Sequence, residues 1–478
     1  MNIRNVALED VIGILEEKKP LHTVLLSSLN GIEDKREKAF VARLVRGCVE
    51  RAYSIDRIID DVSSVPLKKQ KKVIRNILRI GTYQILFMDS VTDFAACDES
   101  VKLAGKRGFK ALQGFINGVL RNICRRKEDF KGLYVPEKES GDSLIDKGSM
   151  AFKYSVPQWI VDGFCSAYGE EKAEAAFRYF LNENGISFRV NTSNISLEQF
   201  EGIIGDDIRK ASKAENPEKY GISSRENSSI RVEKSRYIDK CYKIYGAGSI
   251  EELRIFEDGL VTAQDMSSAL VGYLCESIMS RINVTGNIGV LDICAAPGGK
   301  SLYLADLNAN VTACDISETK LSLIRENAER CHFSNIELRL NDATAYNDEF
   351  EGKFDIVLCD LPCSGLGIIG KKPDIKYNMT PEKIVELAEL QKRMLKNASR
   401  YLKTGGYLVY STCTLTKQEN TENVEFIKRE LDLAGVMIEE FLPLGIKAEH
   451  SEDNYIQILP GEYGSDGFFI SLFKRELK

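Results

Sequence analysis

Residues 289–301 read GVLDICAAPGGKS, and this stretch decides how the second half of the chain folds. A short apolar run, GVLDIC (289–294), passes directly into a turn of small residues and then into a helical pattern beginning near Lys300. Working outward, the runs NVTACD (310–315), IELRL (336–340), FDIVLCD (354–360) and YLVYST (407–412) have the length and β-branched content of strands. Helical stretches such as SETKLSLIRENAERC (317–331) lie between them. Strands that alternate with helices in this way predict a doubly wound parallel sheet. YIQILP (455–460) and GFFISLFKR (467–475) add a closing antiparallel hairpin.

Sheets of this kind bind ligands beyond the carboxyl ends of their strands, where the strand order reverses. Four candidate positions fall there. Cys294, Ala295, Ala296, Pro297, Gly298, Gly299 and Lys300 follow the first strand, and the two glycines let the backbone approach a ligand closely. Asp315 closes the second strand, 23 residues after Asp292, a spacing suited to holding ribose hydroxyls. Asp342 follows the third strand and Asp360 ends the fourth. The turn is neither GxGxxG nor GxxxxGKS, which disfavours a dinucleotide or a nucleoside triphosphate. A small adenosine-type cofactor without phosphates, S-adenosylmethionine, fits what remains.

Two thiols belong at the same edge. Asp360-Leu361-Pro362-Cys363-Ser364-Gly365 leaves the fourth strand, and Ser411-Thr412-Cys413-Thr414 leaves the fifth. Neighbouring strands are about 4.8 Å apart, so both sulfurs can reach one small molecule. Thr416 and Glu419 have capping-box spacing and predict a helix start just after Cys413, which would favour its thiolate. Such a pair suits methylation of cytosine carbon 5, a poor nucleophile until a thiolate adds to carbon 6. Covalent addition divides that difficult step into easier ones. Asp360 is placed to hydrogen-bond the base.

The chain has 478 residues, long enough for two to four domains. No apolar stretch approaches the ~20 residues a membrane-spanning helix needs, and the acidic, helical start is not a secretory signal. A cytoplasmic protein with reduced thiols is expected. The 12 cysteines and 3 histidines show no metal-ligand spacing, so no metal is expected. Net charge is −6, which disfavours a generic polyanion binder and requires any RNA-binding potential to be local.

Residues 1–130 read as all-helical, with Leu8, Val11, Ile12 and Leu15 at helical spacing and a helix expected over 68–88. Three basic groups are candidates for nucleic-acid contact: Lys68, Lys72, Arg75 and Arg79; Lys102, Lys106, Arg107 and Lys110; and Arg121, Arg125, Arg126 and Lys127. Residues 131–150 read as a linker, 151–240 as a small α/β module, and 241–478 as the catalytic domain.

DICAAPGGKS, DLPCSGLG followed by PDIK, and STCTLTKQEN together resemble the RNA cytosine-C5 methyltransferases. FINGVLR (115–121) resembles the signature of a NusB-like helical domain, and GLVTAQDMSS (259–268) the segment before the first catalytic strand. The resemblance covers nearly the whole chain. It implies a NusB-like domain, an RNA-binding middle module and a Rossmann-like class I S-adenosylmethionine-dependent domain. It also implies a monomer acting on small-subunit ribosomal RNA, with Cys413 as nucleophile, Cys363 assisting release, and residues 294–300, Asp315, Asp342 and Asp360 holding the cofactor. Leu366 and Tyr377 depart from the family's usual Thr and Trp and bear on the base pocket. The cysteine roles are a choice, since DNA cytosine-C5 enzymes use the PC cysteine as nucleophile. Transfer RNA as substrate, or a non-catalytic ribosome-assembly role, are the alternatives.

Overall fold

The structure is a computed structural model and describes residues 2–134, 147–182, 185–204, 230–247, 249–282 and 287–476. Much of the expected linker, residues 135–146, lies outside these. The chain divides into two compact units, one of residues 1–181 with 369–380, the other of residues 182–368 with 381–478.

The first unit is helical, as the spacing predicts. Leu8 and Val11 of the helix Ile3–Leu15 are buried, as are Val41, Leu44, Val45, Cys48 and Val49 of Lys35–Glu50. Side chains close the helix starts: Asn2 accepts from the amides of Arg4 and Asn5, and Asp34 from those of Arg36 and Glu37. Instead of one helix over 68–88 there is a short 3₁₀ turn, Leu67–Lys69, and a helix Lys72–Phe87.

Three helices expected nearer the α/β module, or its linker, belong here: Lys147–Lys153, Gln158–Tyr168 and Glu170–Leu181. Ser54 Oγ donates to the Phe152 carbonyl at 2.5 Å and Phe152 packs on the helical core, which ties them in. The PDIK segment is also here. Asp374 accepts from the Leu21 amide at 3.3 Å, and Tyr377 Oη accepts from the Tyr53 amide at 3.1 Å. Lys376 is 3 % exposed and donates to the carbonyls of Glu50 (2.6 Å) and Ser155 (2.8 Å), and burial lowers its pKa to about 7. Tyr377 is thus packed among helices and not in a base pocket.

Half of the side chains in the three basic groups have carboxylate partners. Arg79 donates to Asp56 at 2.6 and 2.7 Å and to Glu16 at 3.0 Å, and Arg75 pairs with Glu16. Burial pushes Glu16 up, but Arg75, Asn76 and Arg79 outweigh it and hold its pKa down to about 2. Lys102 pairs with Asp98 and Glu99, Arg107 with Glu9, Arg126 with Asp61 and Lys127 with Asp93. The sequence shows the cations but not the acids that fold onto them.

The second unit carries two sheets. Strands β1 (Ile186–Val190), β2 (Arg231–Lys234), β3 (Cys241–Tyr245) and β4 (Val261–Ala263) form an antiparallel sheet in the order β2-β3-β1-β4. The larger sheet uses β5 (Gly289–Asp292), β6 (Asn310–Asp315), β7 (Ile336–Leu340), β8 (Phe354–Asp360), β9 (Leu402–Thr412), β10 (Ala434–Gly435), β11 (Tyr455–Ile458) and β12 (Phe468–Lys474). Its order is β10-β12-β9-β8-β5-β6-β7, with β11 also on β12. Strands β5 to β9 are mutually parallel and β12 runs antiparallel to β9. From β5 the chain winds one way to β7, then returns to β8 and winds the other way. The strand order therefore reverses between β5 and β8.

A buried ion pair rivets the small sheet to the first helix of the large one. Arg189 on β1 donates to Asp306 at 2.9 Å, and neither side chain is exposed. Asp306 also accepts from the amides and hydroxyls of Thr192 and Ser193. The guanidinium lies 4.6 Å from the centre of the Tyr303 ring.

Candidate active site

The glycine turn stands at the strand-order reversal. Gly298 has φ 105°, a left-handed conformation that glycine adopts without strain, and it leads into the helix Gly299–Asp306. Beneath it Asp292 is 1 % exposed and accepts from Ser301 Oγ at 2.7 Å, while its other oxygen has no protein partner. Burial and the nearby Asp360 carboxylate raise its pKa to about 6, against the opposing Ser301 hydrogen bond. Asp315 fastens the turn to the end of β6. It accepts from the Ala296 amide at 3.3 Å, the Ile316 amide at 2.7 Å and Lys320 Nζ at 3.0 Å.

Lys300 reaches across the reversal to Asp360. Its ammonium donates to Asp360 at 2.7 Å and to Ser268 Oγ at 3.0 Å, while Ser411 Oγ donates to the other Asp360 oxygen at 2.7 Å. Adjacent strand ends are thereby clamped together.

Cys363 and Cys413 leave these neighbouring strands half-buried, with their sulfurs 3.3 Å apart. The hydrogen bond with Cys413, reinforced by burial, pushes the Cys363 thiol well above its ordinary pKa. Either sulfur can be the donor in this contact. The structure thus brings Cys294 through Lys300, Asp315, Asp360 and both cysteines to one edge. Asp342 is exposed, and its Oδ1 accepts from the Thr344 amide and hydroxyl at 2.9 and 2.7 Å. Leu366 is buried.

Glu419 does not cap the helix that its spacing from Thr416 predicts. The helix after Cys413 starts at Thr421, preceded by Asn420, so Thr416 and Glu419 do not cap it. The fully buried Glu419 turns toward the other cysteine loop. It accepts from the Ser364 amide (2.8 Å), Ser364 Oγ (2.6 Å), Gln391 Nε2 (3.2 Å) and Thr416 Oγ1 (2.7 Å). One carboxyl group thereby ties the Cys363 loop to the Cys413 loop. The backbones also meet directly: the Gly367 amide donates to the Cys413 carbonyl at 3.0 Å. A Cβ on Gly367 would fall 2.8 Å from that oxygen and 2.3 Å from the Gly467 carbonyl, so no other residue fits there.

A parallel sheet with a glycine turn and strand-end acids at its reversal is the arrangement of a nucleotide-type cofactor site. The pattern of the 16S rRNA methyltransferases RsmB/F matches residues 280–474, and that of the NusB family matches residues 1–125. The probable ribosomal RNA small subunit methyltransferase B of Bacillus subtilis (strain 168) is 33% identical over 99% of both chains. The Proteus mirabilis (strain HI4320) ribosomal RNA small subunit methyltransferase B is 28% identical, again over 99% of both. The crystal structure of PH0851 has the same fold, with a TM-score of 0.73 at 21% identity over 98% of both chains. That of NSun6 from Pyrococcus horikoshii shares it at a TM-score of 0.51 and 22% identity, over 67% of this chain and 99% of the other. The chain belongs to the ribosomal RNA small subunit methyltransferase B family.

It is a methyltransferase, and its methyl donor is S-adenosylmethionine. The residues present fit that donor: a glycine turn without phosphate-binding features, an acid ending β6, and a buried Asp292 oxygen left unpaired beneath the turn. Among the described residues no group of three or more His, Cys, Asp or Glu could hold a metal ion. No helix described is long and apolar enough to cross a membrane.

Proposed function

We propose that this protein methylates carbon 5 of a cytosine in small-subunit ribosomal RNA, with Cys413 as covalent nucleophile. The observation that carries the reading is the 3.3 Å approach of the two sulfurs at the strand-order reversal, beside the glycine turn. The similarity to ribosomal RNA small subunit methyltransferases supports ribosomal RNA as the substrate.

When bound, S-adenosylmethionine supplies an electrophilic methyl group. Residues 294–300, Asp315, Asp342 and Asp360 hold it. Cys413 Sγ adds to carbon 6, and the ring's π electrons move to carbon 5, which takes the methyl. Loss of the carbon-5 proton and cleavage of the sulfur–carbon bond then restore the aromatic ring and free Cys413. Asp360, fixed by Ser411 and Lys300, keeps lone pairs for the exocyclic amine or the protonated N3 of the adduct. Cys363, its sulfur 3.3 Å from that of Cys413, assists the release. Reaching carbon 6 requires the base to leave its stack.

The test is methyl transfer and gel-shift of protein–RNA adducts with small-subunit RNA. Cys413→Ala abolishes both methyl transfer and adduct, while Cys363→Ala accumulates an adduct resistant to denaturant. The opposite pattern reverses the two roles. Mapping of modified cytosines in ribosomal RNA with and without the protein tests the substrate.

A further inference from the structure

Beside the glycine turn, the second unit has a cavity of about 350 Å³ that the reaction described above does not use. Its walls come from β2, β3, the turn between them and the loop before β12, and Gln264 and Met266 also line it. That volume falls within the roughly 300–1000 Å³ of small-molecule sites.

Three features distinguish it. The first is aromatic: Tyr237, Tyr245 and Tyr463 are all half-buried on the cavity, and the Tyr237 and Tyr463 rings meet edge-on at 5.2 Å. Tyr463 has φ 53°, a backbone conformation rare for a bulky residue. The second is charge. Lys234, Arg236 and Lys243 line the cavity with one acid, Glu233; Glu233 pairs with Arg231, Lys234 with Glu201, and Lys243 donates to the Gly464 carbonyl. Arg236 is exposed and forms no ion pair among the described residues. The third is position. Gln264 lines the cavity and also lies 3.7 Å from where a Cβ on Gly299 would stand, so one side chain separates cavity from cofactor turn. Two residues past Met266, Ser268 accepts from the Lys300 ammonium that clamps Asp360.

Tyrosine rings beside an exposed arginine suit a stacked base with its phosphate, which is how single-stranded nucleic acid is held. From these features we infer that the cavity binds an unpaired nucleotide of the RNA substrate next to the target base, its base against Tyr237 and Tyr463 and its phosphate toward Arg236. This rests on the reading that the substrate is RNA. It would explain how a target cytosine drawn from its stack stays out, since an anchored neighbour prevents the strand from re-stacking.

The test uses the full-length protein and a fluorescent single-stranded oligoribonucleotide, with anisotropy read across a salt series, alongside KM for RNA and for S-adenosylmethionine. Tyr463→Ala and Tyr237→Ala are expected to weaken oligonucleotide binding about tenfold. Arg236→Ala is expected to lower the slope of log affinity against log salt by roughly one. In all three the KM for S-adenosylmethionine is unchanged. Thermal unfolding identifies any variant that is misfolded, and Tyr463→Phe, which keeps the ring, should bind as wild type does. Folded alanine variants with unchanged oligonucleotide affinity and salt slope overturn the inference, and so does a raised KM for S-adenosylmethionine alone. Because binding is read without turnover, a wild type that binds RNA but methylates a different atom refutes the proposed function and leaves this result standing.

Discussion

Glu419→Ala is the most informative single change at the site. The side chain receives four hydrogen bonds, and their donors do not fare equally when it is removed. Gln391 Nε2 retains the Pro362 carbonyl at 2.8 Å, and Ser364 Oγ retains Thr414 Oγ1 at 2.6 Å. The Ser364 amide is buried and keeps no partner, at a cost of about 2 kcal/mol. The remaining lost bonds bring the total to about 3 kcal/mol. Glu419→Gln behaves differently. Its carbonyl oxygen can accept from the Ser364 amide and Gln391, and its NH2 can donate to two hydroxyls free to rotate. The expected cost is about 1 kcal/mol. Hydrogen exchange at the Ser364 amide reads this locally, without assuming that two units unfold together. At 1.4 kcal/mol per factor of ten, the alanine variant should exchange about a hundredfold faster and the glutamine variant about fivefold. Methyl transfer should fall about a hundredfold in Glu419→Ala, the scale expected when reacting groups move by about 1 Å. An alanine variant with wild-type exchange and rate, or a glutamine variant as impaired as alanine, would refute the claim that Glu419 joins the two cysteine loops.

Other predictions concern charge. Asp306→Ala strands Arg189 without its acid in a fully buried site and should destabilise the second unit by about 3–5 kcal/mol in urea unfolding. Asp292 has a folded pKa of about 6 against an ordinary 3.8, so its ionisation disfavours folding. The penalty is absent below the unfolded pKa, grows as pH rises from about 4 to 6, and levels off near 3 kcal/mol. Asp292→Asn should therefore match wild-type stability at pH 4 and exceed it above pH 6; an equal gain at both would exclude this cause. Lys376, with a pKa near 7, has the opposite dependence: the unfolded chain holds the proton longer, so the helical unit should gain stability as pH rises from 7 toward 10. Thermal unfolding of wild type against Lys376→Met across that range measures the difference.

The strands of the catalytic half were legible because their ends carry the signal. The expected bounds at 310–315, 336–340 and 354–360 coincide with β6, β7 and β8, and both cysteines leave adjacent strands as the alternation required. What was not legible depends on partners distant in sequence. Thr416 and Glu419 have the spacing of a helix cap, yet Ser364, 55 positions earlier, claims the carboxylate. Arg75 and Arg79 look like a solvated basic face until Glu16 and Asp56 fold against them. Arg189 sits in a β run and gives no local sign that it will be wholly buried beside Asp306. Residues 151–181 read as the start of an α/β module because only tertiary contacts, such as that of Ser54 with Phe152, place them with the helices.

The return of residues 369–380 to the helical unit has a consequence for synthesis. Between Leu181 and Ile369 the ribosome must add 188 residues (369 − 181) before the unit's last piece exists. At about 5–20 residues per second that is a wait of roughly 10–40 s. Until then the amides of Leu21 and Tyr53 and the carbonyls of Glu50 and Ser155 have no Asp374, Tyr377 or Lys376 to meet. The nascent amino-terminal helices are thus born with an open seam, which is closed by a stretch of chain made much later, and a gene fragment stopping at codon 181 would encode that seam permanently unfilled.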